Sequence, residues 1–97
     1  MTIIYPNNGQ DLILQIIPDE SITSFVLTFY TNNTDNGIVK TNSDLKEDNL
    51  IKLNSSELAE LDKGALKCLV LTRTTDDDFD DNYYNEVQII PTDFYIK

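Results

Sequence analysis

Ninety-seven residues with seven basic and seventeen acidic side chains, a net charge of −10, describe one domain long enough for a core without staples. That charge repels phosphate backbones and anionic lipid surfaces, so the expectation is no direct nucleic-acid contact, no membrane contact and a preference for cationic partners. Histidine is absent and Cys68 is the single cysteine, which excludes imidazole-dependent triads, an intrachain disulfide and a thiolate metal cluster.

In chain order, Thr2 to Tyr5 reads as a short edge segment, and Pro6-Asn7-Asn8-Gly9 as a turn. The opening residues have neither a basic region nor a long apolar run, so no signal peptide is expected, and the N-x-[ST] matches at Asn32 and Asn54 carry no meaning. Leu12 to Ile17 is the first strand, with Leu12, Leu14 and Ile16 on one face, and Pro18-Asp19-Glu20 ends it. Thr23 to Thr31 alternates cleanly, turning Phe25, Leu27 and Phe29 inward and Ser24, Thr28 and Tyr30 outward. Thr31 to Gly37 is a turn-rich loop whose Asn36-Gly37 signals a hairpin. Ile38 to Thr41 is a short strand, Asn42 to Asp48 is polar with Leu45 as an anchor, and Asn49 to Leu53 is another short strand.

A helix start follows. Asn54 is a good N-cap, Glu57 sits where it can reach back to the cap's N–H, and Leu58 and Leu61 share a face. Gly64 is placed to close the helix in the left-handed conformation. Such a helix of about two turns is too short to stand alone, so it must dock. Ala65 to Thr72 is a strand with Leu66, Cys68 and Val70 on one face and Leu69 and Leu71 on the other. Apolar residues on both faces predict a central strand or one covered by a partner. Cys68 reads as inert core packing. Arg73 to Asn82 reads as a hairpin loop with Phe79 folded back. The last strand starts near Tyr83 and runs to Ile90. Pro91 marks an edge, a bulge or a switch between sheets, and Phe94 and Ile96 resume the inward pattern.

About seven short strands and one short helix near residues 55–62 predict an all-β fold, an immunoglobulin-like antiparallel sandwich spanning 1–97 as a single domain. A small closed barrel is the alternative. The paired cysteines and the tryptophan of antibody domains are missing.

Chemistry has one candidate location. Asp76, Asp77, Asp78, Asp80 and Asp81 lie close together, and Asp76, Asp78 and Asp80 are candidate calcium ligands. The spacing is not that of an EF-hand and the required glycine is absent. A solvated loop and contact with a basic partner surface are the other readings of the same run. Tyr83, Tyr84 and Tyr95 are amphipathic and suit an interface, a glycan surface or the flank of a sheet. With Asp77, Asp81, Leu69 and Leu71, Tyr83 and Tyr84 complete the candidate protein-interface residues. Loop aspartates without an evident cleft do not suit glycoside hydrolysis, and the three scattered glycines form no phosphate loop. An acidic mimic of DNA would spread its charge in rows, whereas this chain concentrates it in one turn. No catalytic residue and no cofactor are expected.

The stretch from Leu53 to Lys97 also resembles small immunoglobulin-like virion modules of tailed bacteriophages that infect gut Bacteroides-type bacteria, including the crAss-like group. The shared pattern is Leu53, the capped Glu57-Leu58-Ala59-Glu60-Leu61 segment, Leu61-Asp62-Lys63-Gly64 before a strand, the acidic turn Asp76–Asp81, and the closing Phe94-Tyr95-Ile96-Lys97. Gly9-Gln10-Asp11-Leu12 before an apolar strand is similar too. The likeness covers the C-terminal half well and the rest loosely. It implies a structural protein of the virion that binds other virion proteins and catalyses nothing. Its expected role is an auxiliary capsid-decorating protein, with a tail, baseplate or fibre adaptor as the alternative. No fibre or receptor-binding extension follows the module, which favours the stand-alone decoration protein. A calcium- or glycan-binding β-sandwich module is the alternative of another class.

Overall fold

The computed structural model describes residues 1–97 and is mostly β. Seven strands alternate with short turns: β1 (Thr2–Ile4), β2 (Leu12–Gln15), β3 (Ile22–Tyr30), β4 (Ile38–Thr41), β5 (Leu50–Leu53), β6 (Gly64–Thr75) and β7 (Tyr83–Ile96). One α-helix, α1 (Ser55–Leu58), follows β5. The strands form a five-stranded sheet in the order β1-β7-β6-β3-β4 and a two-stranded β2-β5 ribbon. Every pairing is antiparallel except β1 with β7, where Thr2, Ile3 and Ile4 run parallel to Phe94, Tyr95 and Ile96. The expected all-antiparallel arrangement is therefore corrected to a mixed sheet. Periodicity reports which residues share a face and is silent on the direction of the neighbouring strand, so the parallel pair left no mark in the sequence.

The core lies between the lower half of the large sheet and the β2-β5 ribbon with α1. From the sheet come Phe25, Leu27, Phe29, Leu66, Cys68 and Ile96; from the opposite layer come Leu12, Ile51, Leu53, Leu58 and Leu61. These are the inward sets that alternation assigns to β2, β3 and β6. Helix α1 is held from three directions. The Glu57 carboxylate accepts the Asn54 N–H at 3.1 Å and pairs with Lys40 Nζ at 3.1 Å. Asp11, far upstream, accepts the Ser55 N–H at 2.6 Å. Those bonds satisfy helix-start donors that would otherwise be orphaned.

Several local expectations shift. The long hairpin is the largest: β6 continues to Thr75 and β7 opens at Tyr83, so only Asp76–Asn82 remains as loop. Arg73, Thr74 and Thr75 are hydrophilic yet pair with Asn85, Tyr84 and Tyr83, and Arg73 and Thr74 also with Ser24 and Ile22 of β3, because a sheet margin that no second layer covers needs no apolar residues. Gly64 does not close the helix. It opens β6 opposite Ile96 with φ +153°, a conformation that only glycine takes easily. Asn36-Gly37 forms no two-residue hairpin turn; a 3₁₀ turn over Thr34–Asn36 connects the strands, and Gly37 has φ −73°. Leu12–Ile17 stops at Gln15, leaving Ile17 exposed beside Pro18. Tyr30 faces outward as alternation requires, but it is buried, with Lys67 Nζ lying 5.5 Å from its ring centroid. Of the three readings of Pro91, the bulge holds and the sheet switch does not: from Pro91 to Tyr95 β7 takes four steps against the two from Ala65 to Lys67, and the strand continues in the same sheet.

The radius of gyration is 14.5 Å, where about 13 Å is usual for a chain of this length, and the long axis measures 48 Å. The β6-β7 hairpin accounts for the excess. It outruns the ribbon that covers the sheet below and carries the acidic turn to the far end of the molecule.

Candidate functional site

The hairpin and its neighbours build an outer sheet face, away from the core, on which Val39, Leu71, Val87 and Ile89 stay exposed. Register aligns its side chains in rows across the strands. Val39, Thr28, Leu69 and Ile89 form one row, and Thr41, Val26, Leu71 and Val87 form the next. These two rows make an aliphatic band in which Val39 is 58 % exposed, Leu71 40 %, Val87 63 % and Ile89 58 %. Scattered exposed hydrophobics are ordinary, whereas a contiguous band marks an interaction surface.

A cation stands at each margin of the band. On one side lies Lys67 over Tyr30; on the other, Arg73 sits 4.6 Å from the Tyr83 ring centroid and donates from Nε to Asn85 Oδ1 at 3.1 Å. No acidic side chain lies in either row of the band. A surface suited to it is apolar at the centre with neutral or acidic groups at the rim.

The residues singled out from sequence separate into two places. Leu69, Leu71 and Tyr83 share the outer face with the band. Tyr84 projects from the opposite face and packs against Phe79 at a centroid separation of 5.4 Å. Phe79 thus folds back as expected, but onto Tyr84 and not into the core, and stays exposed. Asp77 lies in the tip loop. Asp81 spans both settings: it accepts the Tyr83 N–H at 3.1 Å and lies 3.8 Å from an Arg73 guanidinium nitrogen.

The tip aspartates build the turn itself. Asp76 Oδ1 accepts the Asp78 N–H at 3.0 Å, as Asp81 does for Tyr83, and side-chain capping of this kind is why aspartate suits tight loops. No group of three or more acidic or cysteine side chains converges to hold a metal ion, so Asp76, Asp78 and Asp80 do not form a ready coordination shell.

One feature of the core face escaped the sequence. Where β2 ends short of the sheet, a groove of about 310 Å³ opens, lined by Leu14, Ile16, Leu27, Phe29, Cys68 and Ile90 among others. Seven of its nine lining residues are apolar, the exceptions being Gln15 and Thr92. The sequence carries no signal for it, because Leu12–Ile17 reads as one continuous strand and only the structure ends β2 at Gln15. Cys68 borders this groove with its thiol buried, and the burial raises its pKa to about 11. A thiol so protonated is a poor nucleophile at neutral pH. No helix is long and apolar enough to cross a membrane.

Comparisons with family models, with curated proteins and with solved structures gave no match to this chain.

Proposed function

We propose that this protein is a non-enzymatic structural component of a bacteriophage virion, an auxiliary protein decorating the capsid, and that its two-layered β fold is of the immunoglobulin-like type. The observation that carries the reading is the outward aliphatic band of Val39, Leu69, Leu71, Val87 and Ile89, displayed on a hydrogen-bonded sheet and flanked by Lys67 and Arg73. An apolar surface held in place by a sheet suits attachment to another folded protein, because little conformational freedom is lost on docking. Burying such side chains contributes about 1–2 kcal/mol each before the cost of association. One module therefore binds modestly, and a lattice that repeats its site many times suits such a binder.

The resemblance of Leu53–Lys97 to phage virion modules supplies the setting, with assembly in the bacterial host cytoplasm and other virion proteins as partners. Mass spectrometry of purified particles is the test. The reading expects this protein at high copy number, and its absence from intact particles would sink the idea. A tail, baseplate or fibre adaptor is the second reading, favoured by the hairpin that projects along the 48 Å axis. Density for the protein at the tail in few copies would select the adaptor; density over the capsid faces would select the decoration protein.

A further inference from the structure

We infer that the free edge of β7 pairs with the same edge of a second copy, antiparallel and two-fold about Val87. The inference is separate from any place in a virion. β7 is flanked on one side by β6 throughout, but on the other side β1 covers only Phe94 to Ile96. From Tyr83 to Pro91 the outer edge is open. The Asp76 N–H bonds to the Asn82 carbonyl at 2.9 Å, and register from Thr75↔Tyr83 to Lys67↔Pro91 is unbroken. Antiparallel alternation then turns the backbone groups of Tyr84, Glu86, Gln88 and Ile90 toward β6. Those of Tyr83, Asn85, Val87, Ile89 and Pro91 turn outward.

The outward donors are bracketed. The Tyr83 N–H is already taken by Asp81, and Pro91 has none to offer. Asn85, Val87 and Ile89 remain, three donors centred on Val87. A second β7 running antiparallel about that centre places the carbonyls of Ile89, Val87 and Asn85 opposite them, so each copy donates three bonds and receives three. A foreign strand could offer carbonyls too, but the symmetry of the open segment matches its own copy.

Side chains agree with this register. Val87 meets Val87 across the axis, which continues the row Val26, Leu71, Val87 straight into the partner's row. On the other face Tyr84 meets Ile90, and Glu86 meets Gln88 rather than another Glu86. The antiparallel arrangement also sends the two acidic tips, Asp76–Asp81, to opposite ends of the joined sheet, so they do not face each other. The edge itself lacks the usual safeguards against pairing: no lysine lies on it, and no bulge interrupts Tyr83 to Pro91.

Sedimentation equilibrium of the full chain tests this. The expected result is a reversible species of twice the chain mass that dissociates on dilution. Val87→Pro removes the central donor without touching a β6 bond. It should keep the wild-type circular dichroism and weaken association at least tenfold. In a Cys68→Ser background, Val87→Cys should form an intermolecular disulfide under mild oxidation, since directly opposed residues of a bonded pair stand about 5.5 Å apart at Cα. Should Val87→Pro prove unfolded, amide exchange decides: the Asn85, Val87 and Ile89 amides of the wild type must slow as concentration rises. A monomer at millimolar concentration, a dimer unaffected by Val87→Pro in a folded chain, or exchange at those amides independent of concentration would overturn the inference.

Discussion

A β-carbon on Gly37 would collide with Thr28 Cγ2 and lie 3.0 Å from the Phe29 carbonyl oxygen. Its φ of −73° suits any residue, so the constraint is space, set by how closely the β3-β4 connection crosses β3. Gly37→Ala should therefore destabilise by about 1–3 kcal/mol, measured by urea denaturation, as overpacking does. Cys68 gives a pH prediction. Its thiol ionises at 9.0 when free and near 11 in the fold, because burial disfavours the thiolate. A folded pKa above the unfolded one means stability is fully present below pH 9 and falls as pH rises from about 9 to about 11, where the unfolded chain sheds the proton first. The difference in stability between wild type and Cys68→Ala should drift in that window and stay flat below it. Alkylation of the wild-type thiol at neutral pH should be slow until denaturant is added.

At the scale of elements, α1 is a short helix fixed by bonds from outside itself. Asp11→Ala removes the acceptor of the Ser55 N–H and should cost about 1 kcal/mol, read as a lower denaturation midpoint with faster exchange at Ser55. Glu57→Ala should cost somewhat more, about 1–2 kcal/mol, since it strips the Asn54 cap and leaves the largely buried Lys40 ammonium without its partner. The Asn54–Glu57 relation was legible in the sequence because it is local, three residues apart. Asp11 was not, because a cap supplied across the chain has no spacing to detect. The same division explains the strands. Phe25, Leu27 and Phe29, and the split of Leu66 and Cys68 from Leu69 and Leu71, followed from alternation alone. The extension of β6 through Arg73–Thr75 did not, because a solvated hairpin arm has the composition of a loop. Tyr83, Leu69 and Leu71 were legible as surface candidates one by one. Val26, Val39, Val87 and Ile89 completed their band only through cross-strand register.

For the whole molecule, the core lies on one face of the large sheet and the band on the other, while the tip of the β6-β7 hairpin extends past both. Stability and attachment should therefore be separable. Leu71→Ser combined with Ile89→Ser alters residues that are half exposed, so the stability should move little, by about 1 kcal/mol or less, while, on the decoration role proposed above, binding to the major capsid protein should fall at least tenfold. Loss of binding together with collapse of the fold would place these residues in the core's service instead. The parallel pairing of β1 with β7 has a mechanical consequence. Tension entering through β1 and leaving through β7 pulls two adjacent parallel strands in opposite directions along their own axes. The hydrogen bonds between Thr2–Ile4 and Phe94–Ile96 are then loaded together, in shear, and cannot open one by one like a zipper. Stretched between those two strands, the module should yield in a single abrupt step under an optical trap, at a higher force than when it is pulled across the tip of the β6-β7 hairpin.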